Sequence, residues 1–306
     1  PILTSNMDTI TGNDMATYIH GKGGMGVLHR FMSIQDNINQ YKKSPSKTFV
    51  SIGVSDLEFE RFLALKDAGA QYFCVDVAHG HAKYIGKIIK KMKSFDSNIC
   101  IMAGNVATYA GADYLAQCGT DIIKVGIGAG SVCSTRIKTG FGMPQLTAIE
   151  ECTKVDRSIV ADGGIRYPGD IVKALAFGAD FVMLGGMLAG SHYTPPVQQY
   201  LQDNPHADTQ SLHTNGITYR GMASKEVADD YLGGLTEWRT AEGISVTVPY
   251  LDKNATDFII HDIIGGLRSG LTYAGSQNIK ELQRKKHYVV ISSAAMEESH
   301  PHKRGI

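Results

Sequence analysis

The sequence predicts an α/β fold, a closed (β/α)₈ barrel with a long excursion after its eighth strand, on three observations. Eight short, β-branched-rich runs alternate with amphipathic stretches, some of the runs are near-continuously apolar rather than apolar at every second residue, and residues capable of chemistry cluster at their carboxyl ends. At 306 residues and 43% hydrophobic, the chain is long enough to fill one such barrel, so residues 1–306 are expected to form a single catalytic domain.

The strand candidates are residues 2–5, 26–29, 48–53, 72–76, 99–103, 122–126, 158–162 and 181–185. Helical patterns at 56–68, 82–93, 110–118 and 169–177 lie between them. Strand, helix and strand in succession make the strands parallel. The run Phe181-Val182-Met183-Leu184 has no polar face, as expected where a parallel sheet is covered on both sides. A doubly wound open sheet is the alternative; the lack of a dinucleotide fingerprint after the first strand favours the barrel. Residues 191–256 break the pattern with polar residues and glycines, suggest a hairpin at Tyr219 and 244–249, and read as a flap. Helices at 257–269 and 277–286 then close the barrel, a last strand is expected at 287–291, and the tail 292–306 carries no core signal.

The 30 basic and 30 acidic residues cancel, which removes the field that would draw the chain to nucleic acid or anionic lipid. No apolar stretch approaches a membrane span and no leader precedes the first strand, so a soluble, cytoplasmic protein is expected. The chain begins at Pro1 inside a strand-like segment, and residues upstream are therefore expected. Five cysteines without a C-x-x-C pair argue against a disulfide framework or a zinc site. Cys74, Cys100, Cys118 and Cys152 sit in apolar stretches as small buried hydrophobes, whereas Cys133 lies among Gly, Ser and Thr.

Barrel enzymes carry their chemistry at the carboxyl ends of the strands. Those ends read Asn6-Met7-Asp8, His29-Arg30, Asp76-Val77-Ala78-His79-Gly80, Gly104-Asn105, Gly126 to Cys133, Asp162-Gly163-Gly164 and Gly185-Gly186. Glycines at 126, 128 and 130 allow the sixth loop to turn its backbone groups toward one point, a geometry suited to an ion or a phosphate. Cys133 follows directly, with Ser134 and Thr135 as hydroxyl neighbours and Arg136 as a nearby cation, and is the candidate nucleophile. The glycine pairs Gly163-Gly164 and Gly185-Gly186 follow strands seven and eight, where barrels commonly bind phosphate with backbone N–H groups. Asp162 cannot take phosphate by charge; a ribose hydroxyl is its natural partner.

The segment from Lys124 to Arg136 resembles the catalytic loop of the IMP dehydrogenase and GMP reductase family. The resemblance continues through Met102-Ala103-Gly104-Asn105-Val106, Ala161-Asp162-Gly163-Gly164-Ile165, 183–190 and Gly265-Gly266-Leu267-Arg268-Ser269, and covers nearly the whole chain. It implies that Cys133 attacks C2 of a purine nucleoside monophosphate and forms a thioimidate. In the dehydrogenase branch IMP is oxidised with NAD to XMP and water hydrolyses the adduct. In the reductase branch GMP loses ammonia and NADPH delivers a hydride, giving IMP.

The flap separates the branches. Dehydrogenases of the family carry an adjacent Arg-Tyr pair there to activate water; here Arg220 precedes Gly221 and Arg239 precedes Thr240. The segment 237–243 instead resembles the reductase segment whose Glu works with the loop Thr, which implies Glu242 and Thr135 as the acid/base pair. NADPH-dependent reductive deamination of GMP is therefore the leading expectation, with an IMP dehydrogenase of atypical flap or an inactive nucleotide-binding barrel as alternatives. The resemblance implies Ser131, Asp162, Gly163, Gly164, Gly185, Gly186, Gly221, Met222, Ala223, Arg239 and Gly243 for the nucleotide. For NADPH it implies Asp76, Val77, Ala78, Ile127, Gly128, Trp238, Tyr273, Gly275 and Ser276. It further implies a monovalent cation, potassium, at Gly128, Gly130, Cys133 and Arg136, and a homotetramer. The chain departs from the family at Ala129 (usually Pro), Ser134 (commonly Thr) and Trp238 (Tyr in reductases). The regulatory nucleotide-binding (CBS) modules that dehydrogenases usually insert after the second barrel unit are absent, since Arg30 leads through 33–43 to the third strand. The tail Glu298-Ser299-His300-Pro301-His302 resembles a cation-site motif of bacterial dehydrogenases.

Overall fold

The computed structural model describes residues 1–206, 209–285 and 288–299. Eight parallel strands, β1 (Ile2–Thr4), β2 (Val27–Leu28), β3 (Phe49–Ile52), β4 (Tyr72–Asp76), β5 (Cys100–Val106), β6 (Ile122–Val125), β7 (Ser158–Asp162) and β8 (Phe181–Leu184), form one sheet in the order β1-β8-β7-β6-β5-β4-β3-β2. The two ends of that order meet. Leu3 bridges Met25 in parallel, with Met25 N donating to Ile2 O and Thr4 N donating to Met25 O, each at 3.1 Å. The sheet thereby curls into a nearly closed TIM barrel.

Helices α1 (Asn13–Gly21), α2 (Ile34–Lys43), α3 (Asp56–Asp67), α4 (Lys83–Phe95), α5 (Tyr109–Gln117), α6 (Thr135–Thr139), α7 (Gln145–Cys152) and α8 (Pro168–Ala176) alternate with the strands. Side-chain caps start several of them: Ser55 accepts from Glu58 N and Thr108 from Gly111 N. In α4 the buried residues Ile85, Ile88, Ile89 and Met92 fall at helical spacing and turn the lysines outward. The barrel interior is a separate small cluster of Leu3, Val27, Phe49, Cys74, Met102, Val160 and Met183, one residue from each of seven strands. Alternation along a strand places Asp76, Lys124 and Asp162 on the same inner face, nearer the carboxyl ends.

Between β8 and the closing helices lie α9 (Pro195–Asp203), α10 (Gln210–Asn215), β9 (Ile217–Arg220), α11 (Lys225–Tyr231) and β10 (Ser245–Val248). β9 and β10 pair antiparallel, with Arg220 opposite Ser245, so the two predicted hairpin arms meet although a long stretch separates them. Val197, Leu212, Ile217 and Tyr250 give this flap its own small core. Between β2 and β3 there is only α2. No helix among the described residues is long and apolar enough to cross a membrane.

Two expectations are corrected. Helix α12 (Lys253–Tyr273) is longer than the predicted 257–269: Asp252 caps its start, and the helix runs on through Gly270, where a Cβ would meet Val172 at 2.7 Å. That glycine marks close packing on α8 rather than a stop. Helix α13 (Ile279–Lys285) follows, but the strand expected at 287–291 does not form: residues 288–291 are non-regular, and His287 lies outside the described residues. The eight strands already pair around the barrel and leave no edge for a ninth, so Tyr288 packs instead on Phe177 at 4.3 Å.

Candidate active site

The loop after β6 is shaped by backbone that only glycine adopts readily. Gly126 (φ 147°) and Gly128 (φ 76°) turn the chain, and Gly163 (φ 90°) after β7 lies so close that a Cβ on it would meet Gly130 N at 3.0 Å. Cys133 emerges exposed from this loop, whereas Cys74, Cys118 and Cys152 are buried and Cys100 is half-buried. Burial pushes the Cys74 and Cys152 thiols up to about 12, which keeps them protonated and unreactive at neutral pH.

The returning arm of the flap is laced onto the Cys133 loop by backbone. Ser134 N donates to Glu242 O at 2.8 Å, Ile244 N donates to Val132 O at 3.0 Å, and Cys133 bridges Gly243 antiparallel. This brings Glu242 beside a loop more than a hundred residues away in sequence. The Cys133 Sγ–H donates to Thr135 Oγ1 at 3.2 Å, and the Thr135 hydroxyl donates to Glu242 Oε2 at 2.8 Å. A thiol, a hydroxyl and a carboxylate are thus connected in a line along which a proton can move.

Inside the mouth, Lys124 is 3% exposed and bonds Asp76 Oδ1 and Asp162 Oδ2, both at 2.8 Å. Burial opposes its charge, but the two carboxylates hold the ammonium well above the ordinary lysine range. Burial likewise works against the Asp76 carboxylate, and Lys124 outweighs it and keeps that group below its usual range. Asn105 Nδ2 adds bonds to Asp162 Oδ2 at 2.9 Å and to Gly126 O at 2.7 Å. Asp162 is therefore fixed in place while one side of it still faces the mouth.

Next to Asp162 the glycine-rich strand ends expected to take phosphate lie close together. Ser131 Oγ and Tyr219 Oη lie 3.0 Å apart, and a Cβ on Gly186 would meet Ser131 Oγ at 2.9 Å. Gly163, Gly164, Gly185, Gly186 and Ser131 thus come together at the ends of β6, β7 and β8. Gly221 and Gly243 pack backbone to backbone, a Cβ on the first meeting the Cα of the second at 3.1 Å, which sets Met222 and Ala223 beside the same loop.

A family model described as "IMP dehydrogenase / GMP reductase domain" matches residues 1–302. The chain belongs to the IMP dehydrogenase/GMP reductase family. The family consists of oxidoreductases that act on purine nucleotides. The chain is 36% identical over 300 residues to the GMP reductase of Vibrio vulnificus, covering 94% of this chain and 82% of that protein. It is 43% identical over 290 residues to an inosine-5'-monophosphate dehydrogenase of Aquifex aeolicus, covering 90% of this chain but spanning only 58% of that relative's length. It is also similar to the crystal structure of an inosine 5' monophosphate dehydrogenase from Legionella pneumophila, at 58% identity and a TM-score of 0.83, covering 96% of this chain and 88% of that one.

Not every residue suggested by the family resemblance joins the site. Asp76, Val77 and Ala78 end β4, and Ile127 and Gly128 follow β6, so these five border the mouth on one side. Asp76 has one oxygen on Lys124 and is also hydrogen-bonded by the Asn6 side chain. Trp238 is 78% exposed on the flap, with the Arg239 guanidinium over its ring at 5.0 Å. Tyr273, Gly275 and Ser276 close α12 and lead to α13, where Lys280 binds Asp180 and Gln283 binds Ala179 O at the amino end of β8. Within one chain these three are not brought to the Cys133 loop.

The four residues suggested for a monovalent cation do not form a cage in this arrangement. Gly128 O accepts Arg136 Nε at 2.8 Å, Gly130 O accepts Cys133 N at 3.2 Å, and Arg136 O accepts Gly140 N at 3.1 Å. Arg136 also brings its own positive charge to the first of these carbonyls, which opposes a second cation there. Among the described residues no cluster of His, Cys, Asp and Glu could hold a metal. The tail motif lies partly outside the described residues: Glu298 and Ser299 end a short 3₁₀ turn, and 300–302 are not described.

Sequence reasoning gave no site role to Lys124, Asn105, Tyr219, Asp8 and Arg220. Lys124 carried a signal, because a lone charge in the apolar run Ile122-Ile123-Lys124-Val125 requires buried counter-charges. Tyr219 carried none: its partner Ser131 is 88 residues away. A concavity of about 900 Å³ beside the site is walled by Asp8, His29, Arg30, Asp230 and Tyr231, and Cys133 does not line it.

Proposed function

We propose that this chain reduces GMP to IMP and ammonia with NADPH, through a covalent bond between Cys133 and C2 of the purine. The observation that carries the reading is the line from Cys133 through Thr135 to Glu242. The Cys133 thiol passes its proton to Thr135 as sulfur bonds to C2, and Thr135 passes its own to Glu242. Glu242 and Thr135 return a proton to the exocyclic amine, the C2–N bond breaks, and ammonia leaves a thioimidate on sulfur. A nicotinamide nucleotide held beside Asp76, Val77 and Ala78 would supply a hydride to C2; the C–S bond then breaks and its electron pair returns to Cys133. Asp162, pinned by Lys124 and Asn105, would orient the ribose, and the glycine-lined cradle with Ser131 and Tyr219 would hold the phosphate. Residues 191–256 contain no adjacent Arg-Tyr pair to activate water; Arg166-Tyr167 stands instead at the start of α8, both backbone N–H groups on Asp170.

A second reading, oxidation of IMP with NAD, is favoured by the names of the Aquifex and Legionella relatives. Absorbance of reduced nicotinamide separates the two. Loss of NADPH with GMP is expected; formation of NADH with IMP, and none of the former, would replace the first reading with the second. Cys133→Ala should abolish turnover and leave nucleotide binding measurable, and an active variant would refute covalent catalysis.

A further inference from the structure

We infer that Arg220 is a positioning residue that holds Glu242 in line with Thr135 by tying the flap to the carboxyl end of β1; the inference rests on the proton line proposed above. Arg220 ends β9. Its Nε and Nη2 both reach Asp8 Oδ2, at 3.0 and 2.5 Å, and its Nη1 reaches Asp230 Oδ2 of α11 at 2.7 Å. Asp8 is 5% exposed and Arg220 13%, while Asp230 is 53% exposed, so the Asp8 contact is the desolvated one. Among the described residues Arg220 is the one cation within ion-pair distance of Asp8. Backbone contacts run the same way: Arg220 N donates to Thr9 Oγ1 and Asp8 N to Met222 Sδ, each at 3.4 Å.

From Arg220 the constraint passes along the chain in three residues. Gly221 N donates to Ile244 O at 3.1 Å, and Glu242 N donates to Ala223 O at 3.0 Å. The two segments that flank Glu242 are therefore registered against 221–223, and that stretch is fixed at its start by the Arg220 anchor. Without the anchor, the Tyr219–Ser131 contact would be left as the buried side-chain hydrogen bond between β9 and the barrel loops, and Glu242 itself would be linked to the rim by backbone bonds and its Thr135 contact. A general acid displaced by about 1 Å loses much of its effect, so a distant ion pair governs the proton step without touching substrate.

The test is a kinetic double-mutant cycle on the full chain, in whichever nicotinamide direction the paired assay supports. Glu242→Gln is expected to lower kcat about 100-fold and Arg220→Gln about tenfold, with Arg220→Lys restoring part of the loss. Because Arg220 acts through Glu242, the double variant should lie within about twofold of Glu242→Gln alone. Full multiplication of the two factors would overturn the inference while leaving the proton line intact. An unchanged kcat in Glu242→Gln would instead sink the proton line itself. If Arg220→Gln does not fold, Asp8→Asn/Arg220→Gln removes both charges together, and the same cycle is run with that pair, with the same expected and overturning outcomes.

Discussion

His29 makes the stability of this protein depend on pH in a way that can be worked out from its position. It ends the second strand region, is 6% exposed, and has no hydrogen-bond partner at Nδ1. Burial lowers it from 6.5 to about 4, helped by Arg61 and Arg220 and opposed by Asp8. Below pH 6.5 the unfolded chain takes up a proton that the folded chain refuses until about pH 4. Stability contributed by the neutral imidazole is thus complete above 6.5 and is lost as the pH falls through this window. At about 1.36 kcal/mol per pH unit, the gap comes to about 3 kcal/mol, a sizeable share of the ~5–15 kcal/mol typical of a domain. Urea denaturation at pH 7, 6, 5 and 4, on the native chain and on His29→Gln, measures it. The native curve should fall by about 3 kcal/mol more than the variant's between pH 7 and pH 4. Parallel curves would show that His29 titrates normally and that its burial is not what the fold implies.

Lys124→Met should cost about 3–5 kcal/mol at pH 7, because it leaves the Asp76 and Asp162 carboxylates facing each other without their ammonium; a loss under about 1 kcal/mol by chemical denaturation would contradict the tight triad. Gly163→Ala forces a left-handed backbone and presses a Cβ to 3.0 Å from Gly130 N. It should cost about 1–3 kcal/mol and weaken nucleoside monophosphate binding measured by titration calorimetry; unchanged affinity would argue that this loop does not cradle the phosphate.

Local pattern was enough for the barrel. Eight apolar runs separated by amphipathic helices leave a parallel sheet few ways to cover both faces, and glycines at strand ends mark where the backbone turns with positive φ. Cys133 was legible for the same reason, as the one cysteine outside an apolar stretch. The expected strand at 287–291 failed because apolar alternation states only that a segment could pair, not that an edge is free to receive it.

What local sequence determines here is periodicity, turn chemistry and which cysteine stays outside the apolar packing, all of which act over a few residues. Only the folded chain decided that Glu242 meets Thr135, that Ser131 meets Tyr219, that Lys124 stands between Asp76 and Asp162, and that Tyr273 to Ser276 end up away from the Cys133 loop. Such pairings span from dozens to more than a hundred residues, and no spacing rule carries them. They follow from barrel closure, which brings the carboxyl ends of β4, β6 and β7 around one opening, and from a flap that returns across that opening.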